Sequence, residues 1–149
     1  MPIALALHTL AVVVWVGGMF FAYMALRPAA LGLEPPQRLP LWSRTFARFF
    51  PWVWAAIFIL PVTGLWLIRE MGGMANAGLY IHIMLVLAIA MILIFMHVFF
   101  SPYKKMNKAI EAGDIPAAGK QLGQIRRWVG INLIIGLVTI TVAVGGKAL

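Results

Sequence analysis

The sequence contains no cysteine among its 149 residues. This absence excludes disulfides, iron–sulfur clusters and metal sites built from thiolates. Acidic residues are also scarce, because only Glu34, Glu70, Glu111 and Asp114 carry a side-chain carboxylate. None of the four lies well inside an apolar run, which argues against an enzyme that depends on carboxylate acid–base chemistry.

Apolar sequence is abundant: 63% of the residues are hydrophobic and 11% are charged, and the mean hydropathy is +0.96. A soluble domain of this size could not bury so much apolar surface. Four runs, at about 3–26, 51–68, 79–100 and 128–144, are long enough to cross a membrane as helices. We therefore predict an all-α fold with one integral membrane domain, 1–149, built as a four-transmembrane-helix up-down bundle. The first run lacks the features of a cleaved signal peptide, so we expect it to be retained.

The positive charges are unevenly placed, with four Lys or Arg in residues 27–48 and six in residues 104–127, out of 12. The positive-inside rule puts these two loops in the cytoplasm and both termini outside, in the periplasm. We expect a multi-pass protein of the bacterial inner membrane whose basic residues face lipid headgroups rather than nucleic acid. A homodimer would bury part of its lipid-facing surface.

The loop between the third and fourth spans has signals for short cytoplasmic helices. One helix is expected to stop near Gly113, and Asp114 with Pro116 then resembles an N-cap followed by a first-turn proline. The end of the first loop, "LWSRTFARFFPW", predicts an amphipathic segment that lies at the membrane interface and leads into the second span.

All three histidines fall within the predicted spans. His8 lies about one and a half turns below the outer surface, and His82 lies about one turn below the same surface. Two imidazoles on different helices at one level are what axial ligation of haem b requires, although a histidine at a membrane edge can also bond a backbone carbonyl.

The surroundings of His8 are compatible with a cofactor. Trp15 lies on the same helical stripe, Gly17 and Gly18 remove side-chain bulk, and Arg69 could neutralise haem propionates, with Lys147 as a weaker candidate. Aromatic stripes and glycine pairs are nonetheless also common devices of plain helix packing.

His97 lies about 22 Å deeper than His82, near the cytoplasmic side. A hydrogen bond to Asn132 at a similar depth would make it structural. The alternatives are a second metal site, with Met24 as a partner for a second haem, or a proton-handling role beside a quinone.

Methionine supports a copper hypothesis, because Met71 and Met74 form an M-x-x-M pair in the outer loop. Thioether sulfur and imidazole are suitable ligands for Cu(I), so these residues, together with His82 and His8, could bind copper in a transport or resistance protein. Methionine is also an ordinary apolar filler of membrane helices.

"ALHTLAVVVWVGGMFF" resembles the first helix of CopD-type membrane proteins, and "PVTGLWL" and "GQIRRWVGINLIIGLVTI" agree with that layout. The chain is similar also to HemJ-type protoporphyrinogen oxidases. That resemblance implies haem b on His8, with Trp15 and Gly17 in the same element. The oxidases are expected to carry a lysine early in the third helix, where "HIMLVL" has Met84.

We therefore predict a haem b protein, with one haem or two, that transfers electrons to or from a quinol or another redox partner. Its activity would be that of a membrane oxidoreductase of the quinol or porphyrinogen class. The alternative is a copper transport or resistance protein, and a scaffold subunit without a cofactor is a third class.

Overall fold

The computed structural model describes residues 2–146, and all regular structure within this range is helical. Four long helices follow one another: α1 (Pro2–Ala30), α2 (Pro35–Glu70), α3 (Leu79–Glu111) and α4 (Ile115–Gly146). Each is long and apolar enough to cross a membrane. The prediction of an all-helical, four-span membrane protein is confirmed.

The helices extend well beyond the predicted spans, since the shortest has 29 residues and the longest 36, whereas about 20 cross the hydrocarbon core. Most of the predicted loop at 27–50 is helical, and only 31–34 separate α1 from α2. The helix over Lys104–Glu111 likewise continues the third span instead of standing apart from it.

Two π-helical segments, Ala22–Leu26 in α1 and Phe99–Tyr103 in α3, let these helices continue past a proline. Pro28 follows the first segment directly, and Pro102 lies inside the second. A proline removes one backbone donor and crowds the carbonyl four residues earlier, so a widened turn accommodates it without ending the helix.

The turns that reverse the chain follow from local chemistry. Gly72 and Gly113 have positive φ angles of 99° and 74°, and each ends its helix in a Schellman pattern of backbone hydrogen bonds. Asp114 then accepts a bond from the amide of Ala117 at 3.2 Å. The predicted stop near Gly113 and the predicted N-cap at Asp114 are confirmed.

The helices pack mainly as two pairs, α1 with α2 and α3 with α4, and α4 also contacts α1 and α2. Glycines mark the close approaches. A Cβ on Gly18 would overlap the ring of Phe49, and one on Gly136 would lie 3.0 Å from Val16. Small residues thus bring these helices together.

Most of the buried core lies in one half of the bundle, although Ala4, Ala11, Thr63 and Ile68 of α1 and α2 are buried in the other half. In α3 no residue before Met91 is buried, and in α4 none is buried after Gly136 up to Gly146. We call the half that contains the α1–α2 and α3–α4 turns the basic end, and the opposite half the His8 end. The core fills the basic end, where aromatic rings cluster around Phe50.

Candidate metal-binding site

His8 is half-buried between α1 and α2 at the His8 end, where its Nδ1 lies 2.8 Å from the hydroxyl oxygen of Thr63. Thr63 is buried, with 3% of its surface exposed. The contact joins two helices inside the membrane-spanning part of the bundle. Polar side chains are costly inside a membrane unless their donors and acceptors are paired, so the hydrogen bonds of both residues matter here.

Thr63 also has hydrogen-bond acceptors within its own helix. Its hydroxyl oxygen lies 2.7 Å from the carbonyl oxygen of Ile59 and 3.3 Å from that of Leu60. When the hydroxyl hydrogen points to Ile59, His8 Nδ1 donates to Thr63, and the lone pair of this neutral tautomer is on Nε2.

The local sequence of α2 explains why the imidazole fits there. Thr63 satisfies its hydroxyl within its own helix, a common solution for threonine in membrane helices. Gly64 has no side chain, and a Cβ there would lie 3.4 Å from His8 Cε1. Thr63 and Gly64, within "PVTGLWL", therefore form the surface of α2 on which the ring lies.

His82 is held in a similar way at the start of α3. Its Nδ1 lies 3.1 Å from the carbonyl oxygen of Gly78, the residue that precedes the helix. Since that carbonyl can only accept, Nδ1 donates and the lone pair of the neutral ring again remains on Nε2. Fixing one ring nitrogen by a hydrogen bond is how proteins orient histidines that bind metals.

His8 and His82 belong to the same end of the bundle, because α1 and α3 both begin there. Within residues 2–146 they are not hydrogen-bonded to each other, and no group of three or more His, Asp or Glu is placed to hold a metal ion.

The predicted neighbours of His8 have packing contacts. Trp15 is 2% exposed, and its ring meets that of Phe95 edge-on with centroids 6.4 Å apart. Gly18 lies against Phe49, whereas Gly17 borders open space. Helix packing, the alternative named for these residues above, accounts for Trp15 and Gly18.

The predicted hydrogen bond between His97 and Asn132 is wrong. Asn132 is buried and donates its side-chain amide to the carbonyl oxygen of Met91 at 3.2 Å. His97 is exposed and packs edge-on against Trp128, with centroids 5.3 Å apart. The reason is angular, because Asn132 points into the bundle and His97 lies on its outer surface.

Met71, Met74 and Arg69 lie at the His8 end, in the last turn of α2 and the turn that follows it, and all three are exposed. The methionine sulfurs therefore stand at the entrance to that end rather than inside the bundle. Lys147 lies outside the described residues.

Comparison with known proteins adds one decisive finding. A family model described as CopD, copper resistance protein D, matches residues 43–145, more than half of the chain. The chain belongs to this family. The matched region includes Thr63, Met71, Met74 and His82, whereas His8 precedes it. No curated protein and no solved structure gave a match.

Thr63 is the residue that sequence analysis missed. A depth estimate could have found it, since Thr63 lies about two turns before the end of α2 and His8 about two turns after the start of α1. A single threonine changes the hydropathy of an apolar span very little, and nothing in the sequence shows which way its hydroxyl points.

Proposed function

We propose that this member of the copper resistance protein D family binds Cu(I) within the bilayer and takes part in copper transport or resistance. The observation that carries the proposal is that Nδ1 of His8 and Nδ1 of His82 each lie within hydrogen-bond distance of a protein oxygen, so the Nδ1–H tautomers would present both Nε2 lone pairs to a metal. Imidazole nitrogen and thioether sulfur are ligands that suit Cu(I).

The proposed order of ligands follows their places in the fold. Met71 and Met74 are exposed in the turn between α2 and α3, where an arriving ion would meet them first. His8 is half-buried inside the bundle, where Thr63 holds its ring. Copper would pass from soft sulfur ligands at the surface to nitrogen ligands deeper in the bilayer.

The charge distribution supports an orientation for this path. The basic end contains four Lys or Arg in residues 27–48 and six in residues 104–127. By the positive-inside rule this end faces the cytoplasm, so the His8 end opens to the outside of a bacterial inner membrane. Copper would then be received from the periplasm.

Competition with a coloured Cu(I) chelator tests the proposal on protein purified in detergent under reducing conditions. His8→Ala and His82→Ala should each weaken Cu(I) binding at least about 100-fold, because each removes a ligand rather than its support. His97→Ala is the matched control and should bind copper as the wild type does. Equal affinity in all four proteins would refute the proposal.

Haem b is the second candidate, and the same pair of histidines favours it. Two neutral imidazoles that present their Nε2 atoms would form the donor set of a low-spin haem iron, and His8 and His82 would hold it. When bound, haem would supply one-electron chemistry for exchange with a quinol or another redox partner.

A homodimer that buries part of the lipid-facing surface is a further prediction for this protein.

An absorption spectrum separates the two candidates. If haem is the ligand, protein purified after haem supplementation should have a Soret band and sharp α and β bands on reduction. Both His8→Ala and His82→Ala should lose these bands, and His97→Ala should keep them. Colourless protein that binds Cu(I) supports copper.

A further inference from the structure

A cavity of about 450 Å³ opens at the basic end between α1, α2 and α4. Its volume is within the range of pockets that hold small molecules. It lies at the end opposite His8, so the proposed copper site does not account for it.

Three arginines line this cavity, one from each helix: Arg27, Arg38 and Arg126. No aspartate or glutamate is among the described residues that line it. Three guanidinium groups without a lining carboxylate create a strongly positive site, and guanidinium is the side chain best suited to bind phosphate through paired hydrogen bonds.

The π segment of α1 fixes the position of Arg27. The amide of Arg27 bonds the carbonyl oxygen of Ala22, five residues earlier, and the next residue, Pro28, has no amide hydrogen for Tyr23. The carbonyl oxygen of Tyr23 is instead 3.2 Å from Arg27 Nε, and the guanidinium lies 4.5 Å from the centre of the Tyr23 ring. The terminal nitrogens of Arg27 retain their hydrogens for a ligand.

The other walls of the cavity are apolar. Trp42 and Phe46 line the α2 side, and Val129 lines part of the α4 side. Gly119 and Gly123 complete the α4 side, and a Cβ on either would meet open space. The cavity therefore combines a cationic part with an apolar part widened by two glycines.

The depth of the cavity matches the headgroup layer. Arg27 lies about 37 Å along α1 from Pro2, whereas the hydrocarbon core is about 30 Å thick. Ala22 and Phe46, which also line the cavity, lie on the membrane side of Arg27 and Arg38. A ligand that fits has an anionic group at headgroup level and an apolar part that points into the bilayer.

We propose that this cavity binds an anionic phospholipid of the surrounding leaflet. Its phosphate contacts Arg27, Arg38 and Arg126, and the first part of an acyl chain lies over Trp42 and Phe46. A soluble phosphorylated molecule shares the phosphate chemistry but lacks the acyl chain, so it would leave the apolar wall uncovered.

Native mass spectrometry of the full-length protein in detergent tests this, with phosphatidylglycerol, phosphatidylethanolamine and glycerol 3-phosphate as probes. The wild type should prefer phosphatidylglycerol at least about tenfold over phosphatidylethanolamine. Arg38→Gln with Arg126→Gln should weaken phosphatidylglycerol binding about 25-fold, since each cation near a headgroup contributes about fivefold. Arg44→Gln with Arg48→Gln is the matched control, because it removes the same charge from exposed positions that do not line the cavity.

Gly123→Leu tests the shape of the cavity without changing charge, and should also weaken phosphatidylglycerol binding while the protein elutes as the wild type does. An equal loss in the two double variants would overturn the proposal, because general attraction would then explain binding. Absence of any preference between the two lipids would overturn it as well. Glycerol 3-phosphate binding as tight as that of the lipid would assign the cavity to a soluble ligand instead.

Discussion

At the basic end, Phe50 packs against Phe46, Phe95 and Tyr103 with ring centroids between 4.9 and 5.1 Å apart, and all four helices contribute buried side chains. At the His8 end, α3 contributes no buried residue before Met91. A hydrogen bond from His8 to Thr63 links α1 and α2 there.

Tight packing is therefore unevenly distributed along the bundle. Aromatic and glycine contacts pack the helices closely at the basic end. The His8 end is packed less tightly and contains His8 and His82, whose Nδ1 atoms lie against Thr63 and Gly78. If the His8 end binds copper as proposed, the binding end is the less tightly packed half of the bundle.

The largest expected effect comes from breaking the aromatic cluster. Phe50→Ala should destabilise the protein by about 3–5 kcal/mol, because it removes a buried ring at the centre of the cluster. Phe58→Ala is the matched control in the same helix, since Phe58 is 69% exposed, and it should change stability little. Thermal unfolding in detergent measures both. Similar losses in the two variants would mean that the core is not concentrated at the basic end.

A smaller effect is expected when His8 loses its acceptor. Thr63→Val removes the hydroxyl while keeping the shape, and should weaken Cu(I) binding about tenfold. Thr141→Val is the control, because the Thr141 hydroxyl bonds only the carbonyl oxygen of Leu137 in its own helix. The chelator competition described above measures both. Unchanged copper affinity in Thr63→Val would show that this hydroxyl does not orient His8.

The smallest expected effect concerns the polar bond inside the core. Asn132→Leu removes the hydrogen bond to Met91 and should change stability by only about 0.6 kcal/mol, a typical value for such bonds between membrane helices. Its effect should thus be several times smaller than that of Phe50→Ala in the same unfolding assay. A loss of several kcal/mol would instead mean that polar bonding stabilises the basic end as strongly as aromatic packing does.

The helices and their turns could be predicted from sequence because their causes are local. Long apolar runs demand helices in a membrane, and the order of Gly113 and Asp114 specifies a stop followed by a start. Sequence analysis underestimates the lengths of the helices, because it places Arg44 in an interfacial approach to the second span and Lys108 in a separate short helix. Both residues lie on extensions of the spanning helices.

The partners of the histidines were harder to predict. The sequence predicted that His8 and His82 share one end, which follows from topology alone. It did not predict Thr63 as the acceptor of His8, and it paired His97 with Asn132 by depth although the two point in different directions.

By itself, the sequence determined a four-helix membrane protein with a basic end and an opposite end that contains His8 and His82. These properties depend on hydropathy, charge and residue order, which act along the chain. Which face of each helix points inward depends instead on how the helices pack against one another. Helices such as α1 and α3 are apolar on all sides within the membrane, so no polar stripe marks their buried face. Contacts such as that of Gly18 with Phe49 set those rotations, and with them the direction in which each polar side chain points.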